Sequence, residues 1–489
     1  MVKFDNSYSR LPSVFYRQVT PTKSPNPVVI QTNLCLANVL NIDTEWIAGE
    51  NGIGMMSGNL LPDGANTIAT AYAGHQFGYF VPQLGDGRAM LVGEIVANDG
   101  NRYDVQLKGS GPTPFSRNGD GFSPLGPVLR EYIVSESMHT MGVPTTRALG
   151  AVTTGSNVYR ESILPGAILT RVAKSHIRVG TCQYFAANGN YDALRILIEH
   201  VCERHFPQVL GRNKIVRLFR AVCSRQAELI ARWVMLGFVH GVMNTDNMLL
   251  CGETVDYGPC AFIDSYQKNA VFSSIDVSGR YAYNRQVDAA EWNLGCFAEC
   301  LIKLIGEDER IGTIEIFKDT LNQFRKMYQD RCVSLFRKKV GLFTEDSSDI
   351  KLMNMWFSIL QNTGSDFTLS FRRLTDIAGD DSSNFVVDRY FSFGAEFDEW
   401  LRRWRNRCDL EGYPQTERQN MMCTANPIYM LRNHLIEMAI NEAYSGGGMG
   451  YFNELLDVLR NPFEWQNGKD NFLRPPNQDE LVEVTYCGT

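Results

Sequence analysis

HGVMNTDNMLL, residues 240–250, decides how this 489-residue chain is read. His240 and Asn247 stand seven positions apart, and nine residues beyond Asn247 comes Asp256-Tyr257-Gly258. A hard divalent cation takes oxygen donors such as an amide and a carboxylate, and completes its shell with phosphate and water. Asn247 and Asp256 offer that pair. The run from Met248 to Asp256 reads as a short hairpin that would bring the two side chains to one end. Asp246, next to Asn247, adds a carboxylate suited to accepting a proton.

The spacing is that of the catalytic loop of protein kinases. There the His is followed two positions later by the Asp that serves as base, then by a metal-binding Asn, and a later Asp-Phe-Gly holds metal again. In this chain the base position is Val242, so the metal donors are kept while the kinase base is gone. Asp246 is the best replacement. Taken alone, an Asn-Thr-Asp-Asn run is an Asx turn. Behind a long amphipathic segment, and with His240 and Asp-Tyr-Gly in order, it reads as a metal–nucleotide site.

Working outward, RYDVQLKGS (102–110) alternates Tyr103, Val105 and Leu107 with Asp104, Gln106 and Lys108. Period two makes it a strand with Lys108 on its polar face, at its end. In VLREYIVSESMHTMG (128–142), Glu131, Val134, Met138 and Met141 fall on one helical stripe. A carboxylate on an apolar stripe is costly unless paired. A kinase-like fold supplies the partner, because its strand lysine is held by a helix glutamate. QLGDGRA (83–89) places Gly85 and Gly87 around an Asp and before Arg88, a turn whose backbone N–H groups can approach phosphate. Arg171 and Arg178, in LTRVAKSHIRVG, are seven apart and share a face if that segment is helical. Each of these signals has a plain alternative, a solvated lysine, a hairpin turn or surface arginines; their order along the chain gives them weight together.

Composition limits the classes. Apolar residues make up 44% and charged residues 21%, with a net charge of −7, an ordinary soluble balance that attracts neither nucleic acid nor an anionic membrane. No apolar run approaches the roughly 18 residues of a membrane-spanning helix, and the start lacks the apolar core of a secretory signal. A cytoplasmic location is expected. The 12 cysteines form no C-x-x-C pair; Cys296 and Cys300 sit at helical spacing and are expected in the core. Residues 65–175 are glycine-rich with short strands, and from about 190 helical periodicity dominates, with helices expected over 214–241, 288–306, 313–338, 350–362, 428–444 and 451–460. The fold class is α+β: a two-lobed, protein-kinase-like fold with a strand-rich N-lobe, a helical C-lobe and extensions at both ends. The expected units are an N-terminal extension (1–60), the N-lobe (61–172) and the helical C-lobe (173–489), whose tail carries Cys487 as a redox-type thiol.

The runs GHQFGYFVPQLGDGRA, LKGSGPTPFSR, GVPTTRAL, HGVMNTDNM and DYGP, with RNPF (460–463) and RPP (474–476), resemble the selenoprotein O family over nearly the whole chain. Cys487 stands where selenocysteine-containing members carry selenocysteine. The resemblance implies a protein adenylyltransferase, moving AMP from ATP to Ser, Thr or Tyr hydroxyls of proteins, itself among them, and releasing pyrophosphate. It implies ATP held flipped relative to a kinase, with the α-phosphorus toward the acceptor, which explains the loss of the base at position 242. It assigns nucleotide contacts to Gly85, Gly87, Arg88, Lys108, Asp120, Gly121, Arg171, Arg178 and Asp256, with Glu131 orienting Lys108. It gives Mg²⁺ or Mn²⁺ to Asn247 and Asp256, and the proton to Asp246. One stretch departs from the family. After NGDG the family continues Arg-Ala-Val-Leu-Arg, whereas here Phe122-Ser123-Pro124-Leu125-Gly126-Pro127 intervenes before Val128-Leu129-Arg130. Two basic residues are lost and two prolines enter, so the helix is expected to begin near Pro127. The rival readings are a conventional protein kinase using Asp246 as base and a catalytically silent nucleotide-binding scaffold. A scaffold has no need of a carboxylate beside the metal donors.

Overall fold

Alternation in the first third of the chain becomes a largely antiparallel sheet. The structure is a computed structural model that describes residues 2–379 and 394–486, so Cys487 lies outside the described residues. The strands are β1 (Tyr16–Gln18), β2 (Val28–Thr32), β3 (Ile68–Thr70), β4 (Gly74–Gln76), β5 (Tyr79–Val81), β6 (Ala89–Val96), β7 (Arg102–Lys108), β8 (Ser123–Pro124), β9 (Arg147–Tyr159), β10 (Ile163–Ala173), β11 (Phe238–Val239) and β12 (Ala261–Phe262). The main sheet runs β1-β3-β6-β7-β10-β9-β2, with β8 on β10; β4–β5 and β11–β12 form separate pairs. In the centre, Gln106 of β7 faces Arg171 of β10, and Lys108 faces Leu169.

Period two gives β7 two different faces. Val105 and Leu107 pack with Met55, Met56, Ile47 and Val172, beneath the short helices α1 (Leu34–Val39), α2 (Thr44–Ala48) and α3 (Glu50–Ser57). Burying such side chains contributes roughly 1.5–3 kcal/mol each, which fixes the strand's register. Asp104, Gln106 and Lys108 therefore face the other way, and all three are buried too. Helix α4 (Leu125–Thr140) lies over β9 and β10.

The rest of the described chain is mainly helical: α5 (Val179–Ala187), α6 (Tyr191–His205), α7 (Lys214–Leu236), α8 (Gln286–Ile302), α9 (Glu307–Lys339), α10 (Asp349–Thr363), α11 (Phe367–Ala378), α12 (Ala395–Glu411), α13 (Gln415–Ala425), α14 (Asn433–Tyr444) and α15 (Gly450–Arg460). α14 and α15 return to pack on α4, where the Tyr444 hydroxyl accepts a bond from the Gly126 amide at 2.8 Å. A second apolar core gathers around Trp356, Trp400 and Trp404. Cys296 and Cys300 are buried on α8. Among the described residues no helix is long and apolar enough to cross a membrane.

Four local expectations change. Arg171 and Arg178 do not share a helix: Arg171 lies in β10 and Arg178 is the residue before α5. Ile168, Thr170 and Val172 are β-branched and Leu169–Ala173 pairs with β7, so sheet pairing overrides the helical spacing. Met248–Asp256 is a loop rather than a hairpin, with Leu249 bridging Arg178 and Thr254 bridging Thr145. α4 begins at Leu125, two residues before Pro127, because Ser123 and Pro124 add to β10 and Pro127 fits within the first turn. Finally, β1 and β2, from the segment read as an N-terminal extension (1–60), pair into the main sheet.

Candidate functional site

The chemistry gathers where the polar face of β7 meets the 244–258 loops. Every residue singled out above for nucleotide, metal or proton lines one cleft of about 1050 Å³, and so does Val242. At its floor Lys108 Nζ lies 2.5 Å from Glu131 Oε2 and 2.9 Å from Asp256 Oδ1. Arg171 Nη1 adds bonds to Glu131 Oε1 (2.9 Å) and Asp256 Oδ1 (2.6 Å). Arg178 Nη1 takes the other carboxylate oxygen, Asp256 Oδ2, at 2.6 Å. Three cations thus hold two carboxylates, and the set carries a net positive charge.

Each member is placed by its element. The register that sets Gln106 opposite Arg171 also lets the guanidinium donate to Gln106 Oε1, from Nε at 3.1 Å and Nη2 at 2.5 Å. Gln106 was missed in the sequence, although it shares the polar period of Lys108. Arg178 lies 4.8 Å from the Tyr72 ring centroid and donates to the Asp246 carbonyl. Burial alone would raise the pKa of Asp256, but Lys108, Arg171 and Arg178 hold it well below the usual carboxylate range. Glu131 is likewise lowered against its burial, by Lys108 and Arg171. Asp256 adopts a left-handed backbone, φ 60°, which Asp tolerates better than most residues.

The base-like carboxylate is in a different electrostatic state. Asp246 sits in the single turn Thr245–Asn247, and burial pushes its pKa up to about 6 against the pull of Arg178. Its Oδ2 accepts from Gln76 Nε2 at 3.3 Å, while buried Oδ1 has no hydrogen-bond partner among the described residues. Asn247 donates from Nδ2 to the Val242 carbonyl at 2.9 Å, which turns its Oδ1 toward Arg178, 3.5 Å away. His240 is a structural residue: Nε2 meets the Val255 carbonyl at 2.9 Å, and burial lowers its pKa.

The glycine turn forms the opposite wall. Gly85 has φ 107°, and a Cβ there would come within 2.5 Å of the Phe115 ring. The Asp86 carboxylate points into the protein, accepting from the Thr70 amide (3.0 Å) and hydroxyl (2.6 Å). Arg88 is anchored through its carbonyl, which accepts from the Gly109 amide at 2.7 Å. Asp120 is paired with Arg160 at 2.8 Å at the cleft's edge. Gly121 packs against the Gly111 carbonyl so tightly that any Cβ would collide. The segment Leu481–Tyr486 lines the cleft as well, tied down where Thr485 donates from its amide to Phe272 O (2.7 Å) and from its hydroxyl to Pro259 O (2.7 Å).

The donor set suits a hard cation. Asp256 and Asn247 Oδ1, both beside Arg178, offer oxygen only, and among the described residues there is no group of three or more His, Cys, Asp or Glu of the kind that cages a metal by itself. Such a pair needs phosphate oxygens to complete a shell, as Mg²⁺ sites at nucleotides do.

Comparison with known proteins agrees along the chain. The family model described as "Protein adenylyltransferase SelO" matches residues 1–460. A relative from Bradyrhizobium diazoefficiens, described as "Protein nucleotidyltransferase YdiU", is 50% identical over 487 residues, covering 99% of each chain. Proteins of the same description from Rhodopseudomonas palustris and Rhizobium meliloti are 50% and 48% identical, over 487 and 488 residues.

Proposed function

This chain belongs to the SelO family of protein adenylyltransferases, and we propose that it moves AMP from ATP to Ser, Thr or Tyr hydroxyls of proteins, itself included. The observation that carries this reading is the pairing of a net-positive cluster with a separate, raised-pKa carboxylate in one cleft. Lys108, Arg171 and Arg178 receive the triphosphate, whose charge would otherwise be expensive to hold away from water. Asn247 and Asp256 hold Mg²⁺, which neutralises phosphate charge when bound. Glu131 keeps Lys108 aimed at the cleft. The turn at Gly85 and Gly87, with Arg88, Asp120 and Gly121, encloses the remainder of the nucleotide. Asp246 takes the proton of the attacking hydroxyl; a pKa near 6 leaves it ionised at neutral pH and basic enough to act. Val242, an apolar side chain at the position of the kinase base, supports attack on the α- rather than the γ-phosphorus. On this reading the sheet region and the helical region correspond to the two lobes of a kinase-like fold, divided near residue 172.

The test is incubation with ATP radiolabelled at the α or the γ phosphorus. Label from the α position is expected on protein, and none from γ. Transfer of γ label alone would restore the kinase reading, and transfer of neither would leave a nucleotide-binding scaffold.

A further inference from the structure

We infer that Gln76 is a positioning residue for the Asp246 carboxylate, and that the β4–β5 hairpin exists to hold that carboxylate in line with the attacking hydroxyl. The inference rests on the reading of Asp246 as proton acceptor. The hairpin is a two-stranded sheet apart from the main one, with Gly74 opposite Val81 and Gln76 opposite Tyr79. It grips the base loop through three consecutive residues. The His75 amide donates to Thr245 Oγ1 (2.7 Å), Gln76 Nε2 to Asp246 Oδ2 (3.3 Å) and the Phe77 amide to Asn244 Oδ1 (3.0 Å). The loop is held from its other side too: Thr245 Oγ1 donates to Gln183 Oε1 at 2.6 Å, and Tyr281 OH donates to Asn244 Oδ1 at 2.7 Å.

Within this clamp one carboxylate oxygen is hydrogen-bonded and the other packs against the hairpin. A Cβ at position 74 would stand 2.5 Å from Asp246 Oδ1, so the glycine lets that oxygen seat against the hairpin backbone. Oδ2 is held by the Gln76 carboxamide. The choice of an amide follows from the chemistry. Lys or Arg at this place would bind the carboxylate as an ion pair and compete with the incoming proton, while an apolar side chain would leave it free to rotate. In the step itself the acceptor oxygen forms a bond to the α-phosphorus. The bond from that phosphorus to the bridging oxygen breaks, its electron pair leaving with pyrophosphate, and the hydroxyl proton passes to Asp246. A displacement of about 1 Å in such an arrangement costs on the order of a hundredfold in rate.

The test is a double-mutant cycle in the full chain, with Gln76→Leu, Asp246→Asn and the double variant. Single-turnover transfer of α-label is measured at saturating Mg·ATP, and Mg·ATP affinity by calorimetry. Gln76→Leu is expected to slow transfer about ten- to hundredfold with affinity within about threefold of wild type. On the Asp246→Asn background the same change should cost less than about twofold, because no base remains to be positioned. Gln76→Glu, which keeps the volume and replaces the donor by an acceptor, should repeat the pattern and covers the case in which Gln76→Leu fails to fold. Equal losses on both backgrounds would overturn the inference and make Gln76 a packing residue; an unchanged rate in both Gln76 variants would overturn it as well. Absence of AMP transfer in the wild type, or a wild-type rate in Asp246→Asn, sinks the underlying reading, and is told apart because it appears without any change at Gln76.

Discussion

Two buried arginine–carboxylate clusters in this protein are built from the same parts in opposite proportion. In the helical region Arg432 lies between Asp264 (2.6 Å) and Asp366 (2.7 Å), with its Nε donating to the Leu473 carbonyl at 3.1 Å. One cation serves two carboxylates, and Asp366 also accepts from the Leu369 amide at 2.8 Å as the cap of α11. In the cleft, three cations serve Glu131 and Asp256, one positive charge more than these two carboxylates carry. The first arrangement ties segments together. The second sets an excess of cations beside an open volume and, on the proposed reading, receives an anion there. The sign of the excess separates a structural cluster from a binding one, although a list of ion pairs makes them look alike.

The sharpest way to break this contrast is to remove one carboxylate from each cluster. Asp256→Ala is expected to reduce single-turnover AMP transfer by more than about a thousandfold, since the alignment of three cations and, on the proposed reading, a metal donor go with it. Asp264→Ala should leave transfer per folded molecule close to wild type. Next in size is Arg432→Met, expected to cost about 3–5 kcal/mol in urea unfolding because two carboxylates are left buried without their partner. A loss under about 1 kcal/mol would mean that the helical cluster is not what holds α11 in place.

Lys108→Met probes the surplus itself. Arg171 and Arg178 still neutralise Asp256 and Glu131, so stability should change little. Mg·ATP affinity should fall about ten- to hundredfold, the weight of one charge-assisted contact. Unchanged affinity by calorimetry would remove Lys108 from the phosphate site.

The smallest effect is expected at Lys339, a buried cation outside both clusters, near the end of α9. Its ammonium donates to the Ala425 carbonyl at 3.2 Å and lies 4.5 Å from the Phe371 ring centroid, and burial lowers its pKa to about 7. The unfolded chain keeps this proton up to a pH near the ordinary lysine value, whereas the folded protein releases it above about 7. The unfolded state therefore binds more protons in that window, and stability rises with pH through it. The gain should be about 1 kcal/mol between pH 7 and 8, and Lys339→Met should abolish this component of the slope.

Legibility in the sequence followed the strength of local patterning. The long periodic helices α7, α8, α9, α10, α14 and α15 were readable because each buries one apolar stripe. α12 was not, since AEFDEWLRRWRNRCDLE buries only Phe397, Trp400, Trp404 and Arg407 and shows charge on the rest. Strands β1 and β2 are too short, and too close to prolines, to stand out before their partners are known. In the site, Lys108 and Glu131 could be paired on paper because strand alternation and a helical stripe each carry one of them. Arg171 could not be placed, as its neighbours in β7 are 65 positions away in sequence at Gln106. Gln76 had no signal at all. A lone amide in GHQFGYF acquires meaning only when the hairpin meets Asp246.

The separation of the paired charges along the chain also bears on how the protein is made. Lys108 and Glu131 are 23 positions apart, Glu131 and Arg171 are 40, but Lys108 and Asp256 are 148. A nascent sheet complete through β10 holds Lys108 and Arg171 with a single carboxylate between them, and must keep that face wet. Desolvation waits for the loop bearing Asp256, which arrives only after α5, α6 and α7 have been synthesised. Closure of the cleft floor is thus a long-range event, of the kind that sets slow folding rates.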